Sequence, residues 1–187
     1  MNKDILKFLE LQLLIALGWF VVFSLSEALN LIGPYKDYIS LLFLPAGFKI
    51  VLACLLRWQC FLGLFIGASI TGLIYLDNDL TKHLWFFSLF PAFSPILAVI
   101  IVDYFFNFGL ELSQINLQKI ILIAALYALI SSALHNTYLF GLGEISFIEF
   151  KQDSLAMFIG GISGAMLFLS ILSYYRNPLI KLADRYL

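Results

Sequence analysis

The stretch Ile159-Gly160-Gly161-Ile162-Ser163-Gly164-Ala165 lies inside a long apolar run near the carboxyl end of the chain. Gly160 and Gly164 are four residues apart, so on an α-helix they share one face, about one turn from each other. In membranes this spacing of small residues lets two backbones approach closely. The stretch therefore predicts a membrane-spanning helix that packs tightly against a neighbour.

A second apolar run repeats the pattern with Gly63 and Gly67, and Gly72 follows one to two turns later. We expect the glycines of both runs to mark helix contacts. Packing within one molecule is the favoured interpretation, and an interface with another copy or another membrane protein is the alternative. The glycines concerned are Gly63, Gly67, Gly72, Gly160, Gly161 and Gly164.

The composition places the whole chain in a lipid bilayer. Its 187 residues are 62% hydrophobic and 12% charged, with a mean hydropathy of +0.97, whereas a soluble domain is about 25% charged. We predict an all-α fold, a six-helix transmembrane bundle forming a single integral membrane domain over residues 1–187. The expected spans, each long enough to cross a bilayer, are about 6–30, 38–57, 59–76, 84–107, 117–140 and 154–175.

The distribution of lysine and arginine predicts the orientation, because cytoplasmic loops carry an excess of both. One side of the predicted bundle has seven such residues and the other has three. The two sets are Lys3, Lys7, Arg57, Lys119, Arg176, Lys181 and Arg185 against Lys36, Lys82 and Lys151. We therefore expect both termini in the cytoplasm and the protein in the plasma membrane, which is the inner membrane in a bacterium. A net charge of −1 excludes nucleic acid as an expected partner.

Prolines predict interruptions in two spans. Pro45, within Leu44-Pro45-Ala46-Gly47, cannot donate a backbone hydrogen bond, so the second span is expected to break there, with Pro45 opening the inner piece. Pro91 and Pro95 are expected to interrupt the fourth span in the same way. Broken helices expose polar backbone that ligand sites use, although prolines also occur in spanning helices for packing alone.

Lys49 and Asp103 are the sharpest candidates for a ligand site, because a charge at the bilayer centre costs about 2.5–3.5 kcal/mol and needs a partner. Lys49 shares a stripe with Ala46 and Ala53 and should point into the bundle. A Lys49–Asp103 pair or an Arg57–Asp103 pair would compensate Asp103, and an anionic ligand is the other partner open to Lys49. The structural alternative is an ion pair, or a lysine that reaches the interface.

A second candidate group lies toward the outer side of the membrane. A stripe of small residues in the fifth span leads to His135, with Asn136 beside it, and Glu27 is expected at a similar depth in the first span. These three residues are candidates for one outward-facing polar pocket, where a histidine next to a carboxylate would sense protons or bind a cation. Interfacial side chains that only hydrogen-bond each other are the alternative.

The sequence contains no catalytic constellation. It lacks a phosphate-binding loop with lysine, a His-x-x-x-His pair and a Gly-x-Ser-x-Gly motif. Cys54 and Cys60 are expected to be reduced and buried, since two thiols without a nearby histidine do not make a zinc site. We therefore expect no enzyme activity, no cofactor and no metal.

Several short motifs resemble the MASE-type integral membrane sensor domains. They are Leu44-Pro45-Ala46-Gly47, then Leu56-Arg57-Trp58, then Gly63 to Ala68, and finally Ile159 to Ala165. The last resembles the family's late Gly-Asp-x-x-Gly helix, with Gly161 where the acidic residue would stand. The resemblance implies a sensory input module. Because the family usually has about eight helices and a fused output enzyme, this chain would signal through a separate membrane partner or as a homo-oligomer.

Two other classes remain open. Six helices in a chain of this size also look like the substrate-binding components of energy-coupling-factor vitamin transporters, which hold a small solute and dock onto a partner through small residues. Glu27, His135 and Asn136 would then form the solute site. The third class is an accessory subunit that stabilises a larger membrane complex.

Overall fold

The structure, a computed structural model, describes residues 3–30, 39, 41–76, 78–107 and 117–174. Within these ranges the chain is helical, with short turns between helices and no β-sheet. The helices are α1 (Lys3–Asn30), α2 (Pro45–Leu56), α3 (Phe61–Tyr75), α4 (Asn78–Thr81), α5 (Leu84–Phe106), α6 (Leu117–Leu142) and α7 (Phe147–Tyr174), and a 3₁₀ turn, η1, covers Arg57–Cys60.

Five helical stretches of the described chain are long and apolar enough to cross a membrane, rather than the six that the sequence predicts. They are Lys3–Leu29, Pro45–Tyr75, Leu84–Phe106, Gln118–Leu142 and Phe147–Leu172. Large apolar side chains cover their outer faces, as on α1, where Leu13 is 62% and Val21 63% exposed. Such surfaces are far more apolar than those of soluble monomers and match a lipid environment.

The difference from six spans arises in Pro45–Tyr75, which contains two helices that run in opposite directions. Along α1, Gln12 contacts Gln59 of η1, and Gly18 further on contacts Phe48 of α2, so α2 runs antiparallel to α1. Gln12 also contacts Gly63, and Trp19 contacts Thr71, so α3 runs parallel to α1. The chain therefore reverses at η1. With 12 residues, α2 is about 18 Å long and too short to cross a core of about 30 Å.

The long helices surround α2. Neighbouring pairs are α1 with α3, α3 with α5, α5 with α6, and α6 with α7, while α2 contacts α1, α5, α6 and α7. We call the two ends of the bundle the Arg57 end, which contains η1, and the Tyr75 end, where Tyr138 of α6 meets His83 at the start of α5. Along the series α1, α3, α5, α6 and α7, neighbouring helices alternate in direction apart from α1 and α3, so α1 begins and α7 finishes at the Arg57 end.

The glycine stretch of α7 holds the non-helical segment 41–44 that precedes α2. The backbone N–H of Phe43 donates to the Gly160 carbonyl at 3.0 Å, and the Ser163 hydroxyl donates to the Leu41 carbonyl at 2.5 Å. A Cβ at Gly164 would overlap the backbone of Phe43. These two glycines lie at a close contact, whose partner is irregular backbone rather than the helix that the spacing predicts. Such backbone is tolerated at membrane depth where protein buries it.

The other glycines make contacts within the molecule, as the favoured interpretation predicts. Gly63 faces Ile15, Gly67 faces Trp19 and Gly72 faces Leu84, and an added Cβ would lie 2.5–2.8 Å from the nearest side-chain carbon in each case. Gly161 faces Ala128 of α6, where the corresponding distance is 3.0 Å.

The prolines behave differently in the two spans. The helix α2 begins at Pro45, as predicted. The predicted interruption at Pro91 and Pro95 is wrong, because α5 is continuous from Leu84 to Phe106 with both prolines inside it. The Ser94 hydroxyl, between the two prolines, donates to the Phe90 carbonyl at 2.6 Å, and side chains of this kind help a spanning helix to retain a proline.

The last helix begins at Phe147, earlier than the predicted 154, because a capping box precedes it. The Glu149 carboxylate accepts from the Ser146 N–H at 2.9 Å, and the Ser146 hydroxyl accepts from the Glu149 N–H at 3.3 Å. This reciprocal pair satisfies donors of the first turn. Asp153, one residue before the predicted start of this span, consequently lies inside α7 and is fully buried.

Candidate functional site

A cavity of about 480 Å³ lies between the helices toward the Tyr75 end. This is within the range of about 300–1,000 Å³ that small-molecule sites occupy. Helices α1, α2, α3, α5, α6 and α7 all contribute to its wall. The side chains discussed below that line it are Trp19, Phe23, Glu27, Phe43, Lys49, Thr71, Tyr127, Ser131 and His135.

Lys49 lies in the interior of the bundle and lines this cavity. The residue is 1% exposed, and Ala46 and Ala53 on the same stripe of α2 are fully buried. The prediction that this stripe points inward is confirmed. The break before Pro45 lets α2 begin inside the bundle, which places Lys49 in its second turn.

Three aromatic rings surround the Lys49 ammonium group. Its Nζ lies 5.1 Å from the Trp19 ring centroid, 5.0 Å from that of Phe43 and 4.7 Å from that of Tyr127. All three distances are within the roughly 6 Å over which a cation is attracted to a ring face. We call Trp19, Phe43 and Tyr127 the aromatic cage.

No carboxylate of the described residues pairs with Lys49. Asp103, one of the partners considered for it, pairs with Arg57 through Nη2 and Oδ2 at 2.8 Å. That pair is partly exposed, at 20% and 22%, and lies at the Arg57 end. Of the two predicted ion pairs, the structure contains Arg57–Asp103, and Asp103 is not part of the cavity wall.

Trp19 is fixed in the cage by α3. Its indole N–H donates to the Thr71 hydroxyl at 3.0 Å, and its Cβ lies close to Gly67. Phe23 stacks on the Trp19 ring, with centroids 5.9 Å apart. The indole is therefore held by a hydrogen bond, a glycine and a stacked ring together.

Phe43 connects the cage to α7. Its ring contacts the ammonium of Lys49, while its backbone is held by Gly160 and Gly164. A displacement of the Phe43 ring would thus act on the segment that α7 holds in place.

Two of the three residues predicted to form the outer polar pocket line the cavity, namely His135 and Glu27. His135 Nδ1 lies 2.8 Å from the Ser131 carbonyl. A carbonyl only accepts, so Nδ1 carries the proton and Nε2 is the other ring nitrogen that a ligand can use. The ring of Phe90 meets the imidazole edge-on at 5.2 Å.

Asn136, the third member, does not line the cavity and instead contacts α7. It is fully buried, and its side-chain amide donates to the Ser132 carbonyl at 3.0 Å and to Met157 Sδ at 3.3 Å. The cavity thus brings together Glu27, Lys49 and His135, with Asp103 and Asn136 elsewhere.

Sequence reasoning did not single out the aromatic cage or Thr71. A signal for Trp19 was present, because Gln12, Ile15 and Trp19 recur at helical spacing and all three are buried. The burial of Asp153 in α7 also had a sequence signal, since Asp153 shares a helical stripe with Gly160 and Gly164. Phe43 had none, because the pairing of a non-helical segment with α7 depends on the tertiary fold.

The described residues contain no group of three metal-ligating side chains. Comparisons with protein-family models, with curated proteins and with solved structures gave no match to this chain. The chemistry of the cavity is therefore the basis for assigning a function.

Proposed function

We propose that the protein is a non-enzymatic integral membrane module that binds a small molecule in the cavity and signals through a separate membrane protein. The observation that carries this proposal is the buried Lys49 ammonium, which lines a cavity of small-molecule size and pairs with no carboxylate of the described chain. Ionisable residues inside membranes are generally functional, because their insertion is unfavourable.

The link between the cavity and α7 favours a sensor. Phe43 contributes to the cage through its ring and to the α7 contact through its backbone. A ligand that favours one position of this ring would shift the packing of α7, and differential contacts of this kind are what a ligand-driven change requires. The resemblance to MASE-type sensor domains supports the same role.

A solute-binding component of a transporter is the alternative that the cavity also favours, because such components hold a small solute and the cavity is of small-molecule size. The glycine stripes give less support to that role, since Gly63, Gly67, Gly161 and Gly164 contact other parts of the same chain. A docking surface for a coupling subunit would therefore need other residues.

We place the protein in a plasma membrane with the Arg57 end in the cytoplasm. Among the described residues, Lys3, Lys7, Arg57 and Lys119 lie at that end, and Lys82 and Lys151 lie at the Tyr75 end. Four against two is the kind of excess that the positive-inside rule requires. In this topology α2 acts as a sixth, partial crossing, and both termini are cytoplasmic.

The experiment is purification of the tagged protein from its native membrane in a mild detergent, followed by mass spectrometry of the proteins that accompany it. We expect a signalling enzyme. Recovery of an ATPase with its coupling subunit would favour the transport role over the sensor role. Recovery of a larger complex whose subunits occur in fixed ratios would indicate an accessory protein.

A further inference from the structure

We infer that the cavity binds an organic anion, a carboxylate on a flat apolar body, with the carboxylate against Lys49. This inference deepens the proposed ligand-binding function and rests on it. It concerns the class of ligand, which the sensor and transport roles leave open.

Lys49 places an amino group in the buried wall of the cavity. Its ammonium is 1% exposed, and no described carboxylate pairs with it. A buried charge is strongly disfavoured unless it is paired. Aromatic faces attract a cation, which reduces this penalty without supplying a counter-charge. A negatively charged ligand supplies it.

The aromatic cage surrounds the Lys49 ammonium with ring faces. Three ring centroids lie 4.7–5.1 Å from Nζ, and the faces of such rings are electron-rich. The cage therefore attracts the ammonium, while burial without a counter-charge disfavours it. A positively charged ligand would meet Lys49 with the same sign of charge, and like charges in contact strongly disfavour a complex.

Phe23, Phe43 and Phe87 line the cavity together with aliphatic side chains and with the polar side chains of Glu27 and His135. The aromatic part of this wall suits a flat ring, which stacks or meets other rings edge-on. A carboxylate has two oxygens to satisfy, and the Lys49 ammonium can donate to them.

The test uses three probes that share a naphthalene body and differ in charge: 1-naphthoate, 1-naphthylmethanol and 1-naphthylmethylammonium. Binding is measured by isothermal titration calorimetry to the full chain in lipid nanodiscs, and protein-free nanodiscs give the partition blank. Because a hydrogen bond to a charged group contributes about 1.5–3 kcal/mol, we expect the wild type to bind naphthoate at least about tenfold more tightly than the alcohol.

Two matched variants locate the effect. Lys49→Met should remove the preference for naphthoate and leave binding of the alcohol within about threefold of wild type. Lys151→Met removes one lysine from an exposed position of α7 and should keep the full preference. The wild-type series alone is sufficient to overturn the inference, so the test does not depend on the folding of Lys49→Met.

Equal or tighter binding of the alcohol or the amine by the wild type would overturn the inference, as would a naphthoate preference that survives in Lys49→Met. In both cases the cavity would still bind a small molecule, so the proposed function would stand. Failure of all three probes to bind would also overturn the inference. The purification experiment would then judge the proposed function separately, since its result does not depend on these probes.

Discussion

At the scale of single residues, Lys49 and Asp103 show how two intramembrane charges take different roles. Asp103 forms an ion pair with Arg57 at 2.8 Å. The Lys49 ammonium instead contacts three aromatic rings and lines a cavity. Removal of one member of a pair leaves the other charge uncompensated, whereas removal of a lone buried charge relieves a penalty. The two residues should therefore respond oppositely to substitution.

We predict that Lys49→Met preserves or raises the thermal unfolding midpoint in detergent, because methionine has a similar length and carries no charge. Asp103→Ala should lower the free energy of unfolding by about 1–3 kcal/mol. This loss is smaller than that expected for a fully buried pair, because the Arg57–Asp103 pair is partly exposed. Circular dichroism melts of both variants check this. A loss of folded protein in Lys49→Met alone would show that Lys49 has a structural partner.

Thr71→Val should destabilise the protein, because the indole N–H of Trp19 would lose its acceptor while remaining buried. An unsatisfied buried donor costs about 1–3 kcal/mol. Ser69→Ala is the matched control, since that hydroxyl bonds only to the Phe65 carbonyl of its own helix. Melting curves and tryptophan emission should change in the first variant and not in the second. Equal behaviour of the two variants would argue against the fixed position of Trp19.

At the scale of elements, the contact between α7 and segment 41–44 determines where α2 begins. Gly164 allows the backbone of Phe43 to lie against the helix, and Gly160 accepts the Phe43 N–H. Because Pro45 starts α2 at this point, Lys49 is brought to the cage. The glycine stretch, the proline and the cavity are therefore parts of one arrangement.

Gly164→Ala should destabilise the fold by about 1–3 kcal/mol or more, because a methyl group would overlap backbone that cannot rotate away. Gly141→Ala is the control. Gly141 lies in α6 with no atom within 4 Å of an added Cβ, and alanine is favoured in helices by up to about 1 kcal/mol. The midpoint of thermal unfolding should fall for the first and hold or rise for the second. An unchanged midpoint in Gly164→Ala would contradict the close contact.

At the scale of the whole molecule, composition and hydropathy were sufficient to predict an all-helical membrane protein, and most helix bounds followed from the apolar runs. The count of spans did not, because the reversal at Arg57 and the start at Pro45 leave α2 too short to cross. Apolar length alone cannot distinguish a full span from a partial helix surrounded by others. The prolines of α5 show the opposite case, in which a helix continues through a predicted break.

The candidate site was predictable only in part. The small-residue stripe of α2 predicted that Lys49 points into the bundle. The similar depths predicted for Glu27 and His135 in their spans predicted that the two residues lie in one region. Asp103 pairs with Arg57, one of the two partners that the sequence suggested for it. Asn136 bonds to Met157 of α7, a contact that the sequence does not indicate. The cage required the packing of four separate segments, and no local pattern encodes that.

The orientation is tested by cysteine labelling in intact cells. On a background lacking Cys54 and Cys60, Lys151→Cys at the Tyr75 end should react with a membrane-impermeant maleimide. Gln118→Cys at the Arg57 end should react only after the membrane is opened. Both positions are exposed, so access depends on the side of the membrane. Reversed labelling would place the Tyr75 end and its cavity toward the cytoplasm.

The most direct test of the central claim, that Lys49 anchors a small molecule in the cavity, is native mass spectrometry of wild type and Lys49→Met extracted side by side from native membranes. The account predicts a discrete non-lipid small molecule bound to the wild type and absent from the folded variant. Identical spectra, with the same molecule retained by both or with lipid alone on both, would contradict it.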